Sequence, residues 1–113
     1  MSDSILAAVG SNLRLLARVR EVLARQTPLS LADIQSALER SDARALYLAA
    51  HKLKGSVSNF PGAAVIDIAA AVEAAAAEDD LDRARQLVPQ LSVALDELLA
   101  RIDVALRGSA PHP

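Results

Sequence analysis

His51, in the run Ala50-His51-Lys52-Leu53-Lys54-Gly55-Ser56, is the side chain best suited to nucleophilic work near neutral pH. Imidazole ordinarily titrates near ~6.5, so at pH 7 much of it is uncharged and keeps one nitrogen lone pair free. Lys54, one helical turn on, would place a compact positive charge beside that ring, where it could steady the oxygens of a phosphoryl group. Gly55 stands in a helix interior at a cost of about 1 kcal/mol relative to alanine. A bare position there leaves room for an approaching protein surface. Projected at about 100° per residue, His51 lies about 140° from the centre of the apolar stripe Leu46, Ala50, Leu53, Val57 and Phe60, which puts it on the solvent face. Tyr47, Lys54, Gly55 and Ser58 fall within about 60° of it on the same projection, with Leu48 and Arg44 beside them. Tyr47 and Leu48 are apolar side chains on a wet face, a footing for a partner.

Other chemistries lack their parts. There is no cysteine, hence no disulfide framework, thiolate metal site or sulfur nucleophile. No set of His and carboxylate ligands converges around His51, since only Glu73 is placed to approach it, and no metal is expected. Lys54-Gly55-Ser56 lacks the glycine-rich lead and the preceding strand of a phosphate loop. The serines sit at caps or helix surfaces, which leaves no Ser-His-Asp arrangement. His112, in a Pro-flanked tail, reads as inert.

The elements that position His51 follow from composition and period. The chain has 113 residues, room for one domain. It is 52% hydrophobic but only 2% aromatic, the aromatics being Tyr47 and Phe60, so its core must be aliphatic. Abundant Ala and Leu with scattered β-branched residues point to an all-α protein. Gly10, Ser11 and Asn12 offer a start for a helix to about Gln26 marked by Leu13, Leu15, Leu16, Val19, Val22 and Leu23, which Thr27-Pro28 would restart or kink, followed by Leu31, Ile34 and Leu38. Ser41-Asp42 breaks the chain, with Asp42 as cap, and a helix from Ala43 runs along the His51 stripe until Asn59 to Gly62 ends it. Ala63 to about Ala77 follows with Val65, Ile68, Val72 and Ala76 inward. After the Glu78-Asp79-Asp80 turn, Leu81 to about Leu106 carries a seam of Ala84, Val88, Leu91, Leu95, Leu98, Ile102 and Ala105, bent at Pro89. Short connections predict an up-down-up-down antiparallel four-helix bundle over residues 1–107, with an additional N-terminal helix if Pro28 breaks the first, and a disordered tail over 108–113.

The motif around His51 closely resembles the H-x-L-K-G-S signature of the histidine-containing phosphotransfer family. The resemblance extends to Asn59-Phe60 at the following turn, to Val72-Glu73 on the next helix, and to the acidic turns Ser41-Asp42 and Asp79-Asp80. It covers roughly residues 13 to 106; Pro61-Gly62 departs from the family's usual Gly-Ala. The resemblance implies that His51 is phosphorylated on its outer ring nitrogen. Lys54 would steady the phosphoryl group, Gly55 would clear room for a receiver domain, and Glu73 would orient the inner nitrogen. Donor and acceptor would be aspartates of response-regulator receiver domains, served by a hybrid sensor histidine kinase; Mg²⁺ would be held by the receiver, with no cofactor and no ATP in this chain. The contrary reading is a helical interaction module that binds or sequesters a signalling partner without chemistry. A sensor-kinase dimerisation bundle is weaker, because such bundles pair hairpins from two chains, whereas this chain supplies four helices.

Net charge is −2 with both signs interspersed, and with two aromatics there is neither a field nor a stacking platform for nucleic acid. Apolar runs such as Ile68–Val72 are far shorter than the ~20 residues of a membrane span, and no signal-peptide pattern opens the chain. The expectation is a cytoplasmic monomer, with a bacterial flavour to its Ala and Arg usage.

Overall fold

Asn12 accepts a hydrogen bond from the Leu15 N–H and opens α1, Leu13–Glu39, in a computed structural model that describes residues 12–108 together with Ile5, Val9 and Gly10. Its buried stripe runs Leu16, Leu23, Thr27, Ser30, Ile34, Ala37 and Leu38. The stripe passes straight through the expected break at Pro28, so α1 is a single helix. Pro28 itself lies exposed, with its ring toward water, while Thr27 and Ser30 remain in register with Leu23 and Ile34. Burial of that stripe offsets a proline cost of about 3 kcal/mol. Leu13, Leu15 and Val22, which helped mark the helix in the sequence, are exposed.

The two tight connections are the same device. Arg40 caps α1, Ser41 takes a left-handed backbone (φ 54°), and the N–H groups of Ser41 and Asp42 reach back to the carbonyls of Leu38 and Ala37. After α3, Ala64–Ala77, Asp79 (φ 58°) and Asp80 donate likewise to Ala76 and Ala75. These paired bonds satisfy carbonyls that the helix end would otherwise leave bare. The second residue of each turn then caps the next helix: Asp42 accepts from the Ala45 N–H to start α2, Ala43–Val57, and Asp80 accepts from Arg83 to start α4, Leu81–Gly108. The acidic turns read from the sequence are therefore stop and start signals together.

The middle connection differs. α2 ends at Val57 rather than running on to Phe60, because the Ser58 hydroxyl donates to the Gly55 carbonyl and tightens the last turn. Phe60 is nonetheless buried, held by its N–H to the Val57 carbonyl, and Gly62 (φ +88°) makes the left-handed step that a side chain resists.

Each helix packs on two neighbours, in the cycle α1–α2–α3–α4–α1, as an up-down-up-down bundle requires. Arg20 near the start of α1 pairs with Asp103 near the end of α4, and Arg85 near the start of α4 donates to the Leu38 carbonyl near the end of α1, so these two run antiparallel. At 27 and 28 residues they are roughly twice the length of α2 and α3, which gives a body of 52 × 22 × 19 Å. The seam expected on α4 is buried throughout, and Pro89 interrupts only its exposed side. On α3 the buried set is Val65, Ala69, Val72, Ala75 and Ala76; Ile68 is only half-buried. Ile5 and Val9 join the core, and α4 extends through Gly108, one residue into the expected tail. Residues 1–4, 6–8, 11 and 109–113, His112 included, lie outside the described residues.

Candidate functional site

His51 stands near the middle of α2 with its side chain 62% exposed. The stripe Leu46, Ala50, Leu53 and Val57 is fully buried, so packing of the opposite face holds the imidazole outward on a rigid rod. Nδ1 of His51 lies 2.5 Å from Oε2 of Glu73, which projects from α3. The other oxygen of Glu73 accepts from Nζ of Lys54 at 2.7 Å. One carboxylate on α3 thus binds both chemically apt residues of α2, and these bonds lie between the helices that the Asn59–Gly62 turn joins.

Glu73 is only 13% exposed, so its charge sits close to protein rather than in open water. Its carboxyl is held below the usual glutamate range. The Lys54 hydrogen bond is the main cause, burial opposes it, and the bond to His51 and the nearby positive charge add to it. Glu73 is accordingly ionised at neutral pH and can only accept hydrogen bonds. Nδ1 of the neutral ring must then carry the proton, which leaves the lone pair on Nε2. Among the described residues Nε2 has no hydrogen-bond partner.

Tyr47, one turn before His51, lies parallel to the imidazole, with ring centroids 6.1 Å apart and planes 5° off. Leu48 is exposed beside it. Gly55 faces solvent, and a Cβ added there would meet nothing within 4 Å, so no packing inside the chain demands glycine. The Ser58 hydroxyl is engaged at the helix end. The sequence places all of these on one face of α2, and the structure adds two links that the sequence reading did not draw. Lys54 is tied to Glu73, a contact between helices, and Tyr47 stacks on His51, which the i, i+4 spacing of two flat rings could have flagged. Among the described residues no three His, Cys, Asp or Glu side chains cluster to hold a metal.

The sequence matches the Hpt domain family over residues 18–105. The chain belongs to the Hpt domain family. That match runs from the first turns of α1 almost to the end of α4 and encloses the whole His51 site. No curated protein and no solved structure matches the chain. Hpt domains are helical phosphocarriers of two-component phosphorelays: they hold a phosphoryl group on histidine and deal with receiver domains and histidine kinases. Among the described residues no helix is long and apolar enough to cross a membrane.

Proposed function

We propose that this Hpt domain accepts a phosphoryl group on Nε2 of His51 from a receiver-domain aspartate and passes it to the aspartate of another receiver. The observation that carries the reading is the exposed imidazole whose Nδ1 is fixed by Glu73 while Nε2 has no partner among the described residues. In the forward step the Nε2 lone pair attacks phosphorus in line, the N–P bond forms, and the bond from phosphorus to the aspartyl oxygen breaks. No proton need move. Nδ1 keeps its hydrogen, the ring becomes cationic, and the Glu73 carboxylate beside it offsets that charge. Lys54 steadies the phosphoryl oxygens, swinging from or sharing its bond to Glu73. Charge on the departing aspartate is neutralised in the receiver by the Mg²⁺ expected there, and this chain supplies no cofactor of its own. Return of the group to a second receiver reverses the same balance.

Docking falls to the surface around His51. Tyr47, Leu48 and Ser58 offer contacts, and the bare Gly55 lets the receiver come close; the open space over Gly55 supports this role. A cytoplasmic setting in a bacterial relay, with the domain acting as a monomer, fits the same chemistry. Incubating the chain with phosphorylated receiver domains tests the proposal. The wild type should gain an acid-labile, base-stable phosphate and His51→Gln should gain none while remaining helical. Tight receiver binding with no label on the wild type would favour a sequestering module instead.

A further inference from the structure

Among the features of this surface, the parallel contact between Tyr47 and His51 is left without a role by the phosphocarrier chemistry just described. We infer that Tyr47 is a positioning residue for phosphoryl transfer, a wall that keeps the His51 ring in the plane from which Nε2 attacks. The inference rests on the proposed phosphorylation of His51 and deepens it.

The bond from Nδ1 to Glu73 lies in the plane of the imidazole and sets how far the ring reaches toward α3. It resists tilting poorly. It is made to a flexible glutamate side chain, so coupled rotations of the His51 and Glu73 torsions still let the ring swing and displace Nε2. Such a swing carries the lone pair out of the direction of attack. Tyr47 lies parallel to the ring: its plane is within 5° of the imidazole plane, at a centroid distance inside the ~4.5–7 Å range of offset aromatic pairs. The hydrogen bond thus holds the edge of the ring, and the parallel neighbour limits its tilt. Both rings stand on the same rigid helix at i, i+4, so the wall moves with the nucleophile. Productive sites need reacting groups held within about 10–20°, a tolerance that a hydrogen bond to one flexible glutamate does not impose alone.

Tyr47 is 38% exposed, so a docking role alone would put it in the binding constant. The two roles separate in single-turnover transfer from a receiver domain charged with acetyl phosphate and Mg²⁺. The receiver is the one that labels the wild-type chain fastest in a panel, and its concentration is varied. Tyr47→Leu, which keeps an apolar side chain but removes the flat face, should lower the saturating rate about fivefold or more and leave the half-saturating receiver concentration within about twofold. Tyr47→Phe should restore the rate. A saturating rate unchanged in Tyr47→Leu, or Tyr47→Phe as slow as Tyr47→Leu, overturns the inference. A second readout needs no partner: ¹H–¹³C spectra of the unphosphorylated chain should show the His51 ring signals moved in Tyr47→Leu and retained in Tyr47→Phe, and identical spectra in all three refute the contact. Absence of label on the wild type would instead count against His51 phosphorylation, whatever the spectra show.

Discussion

Glu73→Gln is the substitution whose effect the geometry specifies most closely. The carboxylate has two oxygens and serves two donors, Nδ1–H of His51 and the Lys54 ammonium. Glutamine has the same shape but one oxygen and one NH₂ group. It can accept from only one of the two, and its NH₂ must then face the other donor. The charged lysine takes the oxygen, because hydrogen bonds to charged groups are worth about 1.5–3 kcal/mol against about 0.5–1.5 for neutral pairs. His51 then gives up its Nδ1–H anchor or takes the tautomer in which Nδ1 accepts from that NH₂ and Nε2 carries the proton; either way it loses the negative charge that offsets the cationic phosphorylated ring. Charging that loss at about 1.4–2.8 kcal/mol in the transition state predicts a transfer rate about 10- to 100-fold lower. The assay is rapid-quench transfer from a phosphorylated receiver at saturating concentration, with helicity followed by circular dichroism. Lys54→Ala should also slow transfer, but in Glu73→Gln/Lys54→Ala the amide oxygen is free for Nδ1–H, so the combined loss should fall short of the two single losses added. A Glu73→Gln rate within twofold of wild type would refute the reasoning, as would a double variant that is simply additive.

Three further outcomes follow. Gly55→Ala should raise stability by up to about 1 kcal/mol in thermal unfolding, since a Cβ there meets nothing, whereas Gly55→Gln should weaken receiver binding in titration calorimetry; unchanged binding would discard the clearance role. Pro28→Ala should stabilise the chain by about 1–3 kcal/mol in urea unfolding, because an exposed proline inside a continuous helix costs about 3 kcal/mol, less what its stiffness saves in the unfolded chain; a destabilised variant would mean that the proline serves the native packing. Glu73 titrates lower folded than unfolded, so the stability it contributes is complete above the ordinary carboxylate range and is lost as pH falls through the lowered value. Glu73→Gln should therefore flatten the acid limb of a stability–pH curve.

The strongest periodic signals in the sequence located the fold. The seam from Ala84 to Ala105 is buried as its spacing requires, and Asp42 caps α2 where the acidic turn stands. Pro28 misled because local chemistry argues for a break while the burial of a long stripe argues against one, and Thr27 and Ser30 gave no apolar cue to that stripe. α3 is so rich in alanine that its inward face is poorly marked, so Ile68 takes a half-buried place while Ala69 goes inside. Phe60 kept the rhythm of α2 past its end because a buried turn residue and a buried helical residue look alike in sequence. At the site, the residues on one face of α2 were legible from helical projection. The sharing of Glu73 between His51 and Lys54 was not, since the distance between two helices depends on packing that no spacing rule encodes.

The central claim concerns one nitrogen of one ring. Labelling the histidines with ¹⁵N, charging the chain from a phosphorylated receiver and recording phosphorus–nitrogen couplings measures it directly. Phosphorus should be bonded to Nε2 of His51, with Nδ1 still protonated and hydrogen-bonded to Glu73. Phosphorus on Nδ1, or on any residue other than His51, would contradict it.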